Sequence, residues 1–146
     1  MTDLHRAVEA RDLSTLQRLL EEGADPNRRG GQVHPPLHRA AQLGDVEAVK
    51  ALLAAGANPN SRGFWKQTPL MYAAQGEGDT SAAAAVLLNA GAKLSARDRS
   101  NDTALLCAVR TGHPNVSRLL AAASKSHHLE TMLKQAPTAP ASRGRL

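Results

Sequence analysis

The sequence predicts an all-α solenoid of about four helix-turn-helix units joined by extended β-turn fingers. Two recurring marks predict it. A leucine-centred box returns after 33, 33 and 35 residues, at Leu4, Leu37, Leu70 and Leu105. A glycine that follows a leucine pair returns after 33 and 35 residues, at Gly23, Gly56 and Gly91. Periods of this length are typical of repeats that bury their apolar faces only by stacking on their neighbours.

Each unit begins with a short first helix that carries the leucine box. In the third copy, Thr68 is a suitable N-cap, and Pro69 suits the first helical position because its missing N–H would be unpaired there anyway. A tight turn leads to the second helix, predicted over 46–54 in the second copy by apolar residues at helical spacing. Gly56 should end that helix in the left-handed conformation that glycine adopts without strain.

The four boxes TDLHRA, PPLHRA, TPLMYA and TALLCA, with the EEGADPN, AAGANPN and NAGAKLS segments, resemble ankyrin repeats over about residues 2–123. The Thr-Pro-Leu-His box is complete in no copy, since Pro35 replaces its threonine and Met71 and Leu106 replace its histidine. We therefore expect the Thr–His hydrogen-bond network of the family to be eroded. The fourth copy also reads as one residue short, because Leu119 follows Leu105 by 14 residues.

These marks divide the chain into a repeat domain over 1–135 and a basic tail over 136–146 that we expect to be disordered. The repeats are expected at about 2–30, 31–63, 64–98 and 99–123. A separate capping helix is expected at about 126–135, where Leu129, Met132 and Leu133 share one helical face.

Composition restricts the classes of function. The 146 residues carry a formal charge of +5, one cysteine and only three aromatic side chains. The single cysteine excludes a disulfide framework, and no stretch approaches the roughly 20 apolar residues of a membrane span. We expect a cytoplasmic protein without membrane contact. The basic charge permits an acidic partner or nucleic acid without identifying either.

The candidate catalytic and metal-binding residues are weak. His34 and His38 have the spacing of a metal pair, but two prolines separate them and no acidic third ligand is evident. Cys107 has no recurring histidine or aspartate beside it, and its helical phase predicts partial exposure at the groove. We therefore expect neither a metal site nor a cofactor, and no enzymatic activity.

The aromatic residues are the best candidates for binding a partner. The resemblance implies that finger tips and the groove side of each first helix hold the partner, which places Phe64 and Trp65 at the second tip and Tyr72 in the groove. The alternative for Phe64 is a ring folded back over the neighbouring finger or helix. The other candidates for contact on these surfaces are Gln67, Arg39, Gln42, Gln75 and Arg110.

One arginine occupies the same position in each finger: Arg29, Arg62 and Arg97. These residues form either a solvated edge, with Arg97 paired to Asp98, or a basic ridge that faces an acidic partner. We predict a monomeric protein-protein interaction module. Its candidate roles are those of a small inhibitor and of an adaptor. The alternative is binding of nucleic acid or another polyanion through the ridge, which the interrupting Asp98 and Asp102 disfavour.

Overall fold

The structure is a computed structural model that describes residues 2–30 and 34–135. Within these ranges the chain forms eight α-helices and no strand. The helices are α1 (Asp3–Glu9), α2 (Leu13–Glu21), α3 (Pro36–Leu43), α4 (Val46–Ala54), α5 (Pro69–Ala74), α6 (Ser81–Asn89), α7 (Ala104–Thr111) and α8 (Pro114–Gln135). The predicted basic tail at 136–146 lies outside the described residues.

The helices form two layers of a solenoid. Helices α1, α3, α5 and α7 stack in order as the first layer, and α2, α4, α6 and α8 stack behind them as the second. The core lies between the layers, where Leu37, Leu52, Leu70 and Leu87 have no more than 1% of their surface exposed. This arrangement confirms the all-α repeat solenoid that the periodicity predicted.

The local signals act as the sequence analysis expected. The Thr68 side chain accepts a hydrogen bond from the Met71 N–H, with Pro69 in the first turn of α5. Helix α4 covers Val46–Ala54 and is followed by Gly56 at φ 98°, a left-handed conformation that would strain most other residues. Local sequence therefore sets the start of α5 and the end of α4.

Helix α8 is much longer than its counterparts because no glycine stops it. Ser124 stands where Gly23, Gly56 and Gly91 follow the other second helices at φ values of 93°, 98° and 98°. The helix runs through this position for 22 residues without a break. A separate capping helix at 126–135 is therefore wrong, and the Leu129 side chain of that segment is exposed and covers nothing.

The structure also corrects the register of the fourth repeat. Leu120, fully buried, is the counterpart of Leu52, and Leu119 is only partly buried. Leu120 follows Leu105 by 15 residues, the same interval that separates Leu52 from Leu37. The fourth repeat is thus full length, and the Leu119–Leu120 pair is displaced by one position relative to Leu52–Leu53.

Candidate functional site

The second finger ends in a tight turn over Phe64–Lys66. The Gly63 N–H donates to the Gln67 carbonyl at 2.8 Å, and the Gln67 N–H donates to the Phe64 carbonyl at 2.9 Å. Trp65 and Lys66, between these bonds, have φ values of 57° and 61°. Two successive left-handed residues are the mark of a type I′ turn, which normally contains Asn or Gly at these positions.

This turn presents its aromatic side chains to solvent. Phe64 is 50% exposed and Trp65 is 65% exposed. The neighbouring finger holds the turn from one side, because the Arg99 N–H donates to the Trp65 carbonyl at 2.7 Å. The Arg99 guanidinium also lies 5.5 Å from the centre of the Trp65 ring, within range of a cation–π interaction. The tip is therefore both exposed and restrained.

The backbone conformation of Trp65 has a cost. A left-handed non-glycine residue is disfavoured by about 1–2 kcal/mol, because its Cβ approaches the following carbonyl oxygen. Trp65 lacks the short polar side chain that lets asparagine tolerate this region. Strain of this kind persists only where surrounding bonds impose it, and it is concentrated at functional sites.

Phe64 and Tyr72 are joined by two histidines into an aromatic cluster at the base of the second finger. The His34 ring lies 6.0 Å from the Phe64 ring and 4.8 Å from the Tyr72 ring, both in edge-to-face geometry. The His38 ring lies 5.0 Å from Tyr72. Tyr72 is half-buried, and burial raises the pKa of its hydroxyl. The spacing of His34 and His38 suggested only a metal pair and gave no sign of this packing.

His38 is fully buried, and only one of its two ring nitrogens has hydrogen-bond partners. Its Nε2 lies 3.1 Å from the carbonyl oxygens of both Ser61 and Gln67, so this nitrogen carries the proton and donates to them. Its buried Nδ1 has no hydrogen-bond partner. Burial, with a smaller contribution from the nearby His34, lowers the pKa of His38 to about 4. His38 is therefore neutral at neutral pH.

The unpaired nitrogen follows from the incomplete box of the second repeat. In the first repeat, the hydroxyl of Thr2 lies 2.6 Å from Nδ1 of His5, while Nε2 of His5 bonds to the His34 carbonyl oxygen. In the second repeat the equivalent of Thr2 is Pro35, which has no hydroxyl. The Thr–His pair is thus present in repeat one and lost in repeat two.

Gly63 lets the second finger approach this cluster. A Cβ at this position would lie 3.0 Å from Cβ of His34 and 3.0 Å from Cδ2 of His38, both too close for ordinary contact. The glycine is therefore required for close approach, since its φ of −96° needs no special freedom.

The three finger arginines form a ladder that joins successive fingers. Arg29 donates to the Arg62 carbonyl, and Arg62 donates to the carbonyls of Lys66 and Arg97 at 2.7 Å each. Arg97 donates to the Asn101 carbonyl at 2.8 Å. All three are exposed, and none has a carboxylate within salt-bridge range among the described residues. Within the described residues, Arg97 and Asp98 do not form the expected ion pair. The Asp98 carboxylate instead accepts hydrogen bonds from the Gln67 side chain and from neighbouring backbone amides.

The predicted groove residues are largely engaged within the protein. Arg39 binds Glu9 through two nitrogens, at 2.6 and 3.2 Å, and Glu77 at 3.1 Å, so it joins three repeats. It also donates to the Gln42 side chain. Arg110 lies 2.5 Å from the Asp102 carboxylate, with most of its own side chain exposed.

Gln75 and Cys107, also predicted to lie at the groove, are half-buried and buried respectively. Gln75 is half-buried, and its buried Nε2 has no hydrogen-bond partner. Cys107, expected to be partly exposed, is instead buried with 5% of its surface accessible, because it lies on the side of α7 that packs on α5. Burial raises the pKa of its thiol.

Among the predicted contact residues, the structure brings Phe64, Trp65 and Gln67 together with Arg62, the middle arginine of the ladder. Arg39, Gln42, Gln75 and Arg110 lie apart from that tip, along the first-helix layer. No set of three or more His, Cys, Asp or Glu side chains in the described ranges could hold a metal ion. None of the described helices combines the length and apolar character needed to cross a bilayer.

Stacked helix pairs with projecting fingers define the class of protein as a helical repeat solenoid. Two family models match it: ankyrin repeats (3 copies) over residues 37–132, and ankyrin repeats (many copies) over residues 4–53. The first match alone covers more than half of the sequence, and the chain belongs to the ankyrin repeat family. Repeats of this family are general protein-protein interaction modules and are typically not enzymes. No curated protein matches the chain.

Proposed function

We propose that this protein binds a partner protein through its second finger tip, with Phe64 and Trp65 as the anchors. The observation that carries the proposal is the exposure of these two rings, 50% and 65%, on a turn whose backbone is held in a left-handed conformation. Aromatic residues are enriched in protein interfaces, and tryptophan is among the residues most enriched at hot spots. Tyr72 supports Phe64 from below through His34 and is a secondary contact.

The proposed mechanism is rigid presentation. The tip is fixed by the Gly63–Gln67 hydrogen bond within its own finger and by the Arg99–Trp65 bond from the next one. A surface that is already ordered loses little conformational entropy on binding, so more of the contact energy appears as affinity. The cost of the left-handed Trp65 is met during folding rather than during binding.

The chemistry around the tip suggests what the partner presents. Arg62, Lys66 and Arg99 surround the two rings with positive charge, and Arg99 already lies against the Trp65 ring. An apolar pocket bordered by carboxylates would complement this surface, and the carboxylates would increase the association rate at low salt. We therefore favour an acidic protein surface as partner, with the protein acting by occlusion as an inhibitor or adaptor.

The test is quantitative affinity capture with the intact protein and with Trp65→Ala, followed by titration of the enriched protein. Trp65→Ala should weaken binding by about 2 kcal/mol or more if the ring is a hot spot. The chain has a single tryptophan, so its emission reports this position alone. Emission should resemble a solvated indole in the free protein and should shift to shorter wavelength when the partner binds.

The matched control is Arg18→Ala, an exposed substitution on α2 that should not change capture. Both variants should melt within about 0.5 kcal/mol of the intact protein, as is usual for surface substitutions. Equal capture by the intact protein and by Trp65→Ala would reject the finger-tip anchor.

Binding of a polyanion by the finger arginines is the second candidate function. It is favoured by the exposure of Arg29, Arg62 and Arg97 and opposed by their use in the ladder, where each already donates to a backbone carbonyl. Replacing all three by alanine should flatten the salt dependence of nucleic-acid binding by about 3 × 0.9 if they contact phosphates. We expect only weak binding by the intact protein at physiological salt.

A further inference from the structure

The finger arginines use only part of their hydrogen-bonding capacity in the ladder. Arg29 donates through one Nη atom to the Arg62 carbonyl, and Arg97 donates through one Nη atom to the Asn101 carbonyl. Arg62 donates through a single Nη atom to the carbonyls of both Lys66 and Arg97. A guanidinium has five N–H donors, so each arginine keeps donors for another acceptor in the described part of the chain. Because carbonyls are neutral, these bonds fix each guanidinium in place without cancelling its charge.

The ladder has the period of the solenoid. Arg29 and Arg62 each reach the carbonyl of the next arginine in the series, 33 and 35 positions further along the chain. Successive guanidiniums are therefore displaced by one repeat, and the helices of adjacent repeats pack roughly 8–10 Å apart. All three arginines are exposed, so the fingers present a straight row of positive charges at that interval.

The fingers around the ladder carry an excess of positive charge. Residues 27–30, 60–67 and 95–102 contain six basic side chains against two carboxylates. Both carboxylates are engaged, because Asp98 accepts from the Gln67 side chain and Asp102 lies 2.5 Å from the Arg110 guanidinium. The carboxylates that would complement the ladder must therefore come from a partner.

A row of carboxylates at this interval requires a particular peptide backbone. A polyproline II helix has three residues per turn and rises about 3.1 Å per residue, so every third side chain points the same way at intervals of about 9.3 Å. Side chains on one face of a β-strand repeat every second residue, at about 6.6 Å. One face of an α-helix repeats at about 5.4 Å or, after seven residues, at about 10.5 Å. Only the polyproline II spacing falls within the interval of the ladder.

The finger tip beside the ladder fits the same backbone. Arg62 bonds to the Lys66 carbonyl at 2.7 Å, which places the middle guanidinium against the turn that carries Phe64 and Trp65. Proline-rich segments in the polyproline II conformation dock on aromatic surfaces, and these two rings are 50% and 65% exposed. A segment with its carboxylates on the ladder would therefore meet the aromatic rings with the residues between those carboxylates.

We propose that the ladder and the second finger tip bind a proline-rich acidic segment of the partner, held as a polyproline II helix with a carboxylate at every third residue. Successive carboxylates bond to Arg29, Arg62 and Arg97, and the intervening prolines pack against Trp65. This inference rests on the proposed function, whose acidic partner it specifies. Nucleic acid fits less well, because each strand of duplex DNA carries a phosphate about every 3.4 Å, a denser row than guanidiniums fixed one repeat apart can follow.

The test uses three nine-residue peptides of the same composition, three glutamates and six prolines, with the glutamates adjacent, two apart or three apart. Binding to the full chain is measured by calorimetric titration at low salt. Glu-Pro-Pro-Glu-Pro-Pro-Glu-Pro-Pro should bind about fivefold more tightly than either of the others, because only its carboxylates meet all three guanidiniums. Arg62→Gln should remove most of that preference. Arg18→Gln, which removes an exposed charge on α2, should keep it.

Four outcomes would overturn the proposal. The three peptides could bind equally well, or none could bind at millimolar concentration. Arg18→Gln could reduce the preference as much as Arg62→Gln does, which would show a general effect of charge. A short DNA duplex could bind more tightly than the spaced peptide at the same salt, which would assign the ladder to nucleic acid. If Arg62→Gln does not fold, Arg97→Gln serves in its place under the same criteria.

The tip and the ladder are separated by Trp65→Ala. This variant should weaken the binding of all three peptides alike and leave the preference among them unchanged, because the preference depends on the arginines. Loss of the spacing preference in the intact chain would thus reject the ladder even if capture of the partner still depends on Trp65. Equal capture of the partner by Trp65→Ala would reject the finger-tip anchor even if the spacing preference holds.

Discussion

Restoring the hydroxyl that the second repeat lacks should stabilise the protein. In Pro35→Thr, the new side chain could bond to the buried, unpaired Nδ1 of His38 as Thr2 bonds to His5 at 2.6 Å. It could also accept from the His38 N–H, because α3 has no side-chain cap. Pro35 has φ −58° and ψ 153°, close to the extended conformation of the N-caps Thr2, Thr68 and Thr103, so no large backbone change is needed.

The magnitude can be worked out from three contributions. Satisfying a buried unpaired group contributes about 1–3 kcal/mol, and an N-cap hydrogen bond contributes about 0.5–2 kcal/mol. Loss of the proline makes the unfolded chain more flexible and costs about 0.4–1 kcal/mol. We expect a net gain of about 0.5–4.5 kcal/mol, measured as the free energy of unfolding in a urea melt.

The matched control is Pro35→Val, which has nearly the shape of threonine without its hydroxyl. It should lose about 0.4–1 kcal/mol, because it removes the proline and restores no hydrogen bond. The difference between the two variants isolates the hydroxyl. If Pro35→Thr is no more stable than Pro35→Val, then His38 is not short of a partner and the reasoning fails.

Three further predictions concern His38 and the second finger, which contains Arg62 and Gly63. Acid should destabilise the protein. The pKa of His38 is 6.5 in the unfolded chain and about 4 in the folded protein, so the free energy of unfolding is unaffected by this group above pH 6.5 and falls as the pH drops towards 4. That loss is about 3 kcal/mol, at about 1.4 kcal/mol per pH unit, and is measured by urea melts across this range. Gly63→Ala should cost about 1–3 kcal/mol in the same assay, because the added methyl overlaps His34 and His38. Arg62→Ala should cost about 1 kcal/mol because it breaks two hydrogen bonds, one to the Lys66 carbonyl in its own finger and one to the Arg97 carbonyl of the next finger.

Each of these has an outcome that contradicts it. The acid effect is contradicted if a His38→Gln variant loses as much stability between pH 6.5 and 4 as the intact protein does. A Gly63→Ala protein as stable as the intact chain would mean that the finger can move away from His38. For the ladder, Arg18→Ala is the control, and a loss equal to that of Arg62→Ala would show a general effect of charge rather than of the hydrogen bonds.

The sequence was sufficient for the features that depend on short-range signals. The bounds of α4, the Thr68 cap and the left-handed Gly56 each follow from one or two residues acting on their own backbone. The extension of α8 was also readable, because no glycine follows the Leu119–Leu120 pair four residues later in either register. The apolar face shared by Leu129, Met132 and Leu133 nevertheless predicted a separate helix there.

The features that were not predictable depend on side chains from different repeats. The Arg62 guanidinium reaches the Arg97 carbonyl 35 positions away, and nothing in the spacing of charges distinguishes that bond from a solvated ridge. Arg39 reads as a groove residue until Glu9 and Glu77 are seen on either side of it. The displaced register of Leu120 likewise appears only from burial, because two adjacent leucines allow either choice.

The hydrogen bonds between neighbouring repeats also determine from which end the array unfolds. The side chains of Asn27 and Asn60 each donate to a glycine carbonyl of the next repeat, at Gly56 and Gly91. The next position in that series, which precedes the fourth repeat, is Ser95 and has no asparagine side chain. Every such bond spans a single repeat, so the array can open one repeat at a time without disturbing the others. In the isolated chain we expect amide exchange to be fastest in the fourth repeat and to slow toward the middle. A chain pulled by its two ends would accordingly release its last repeat first.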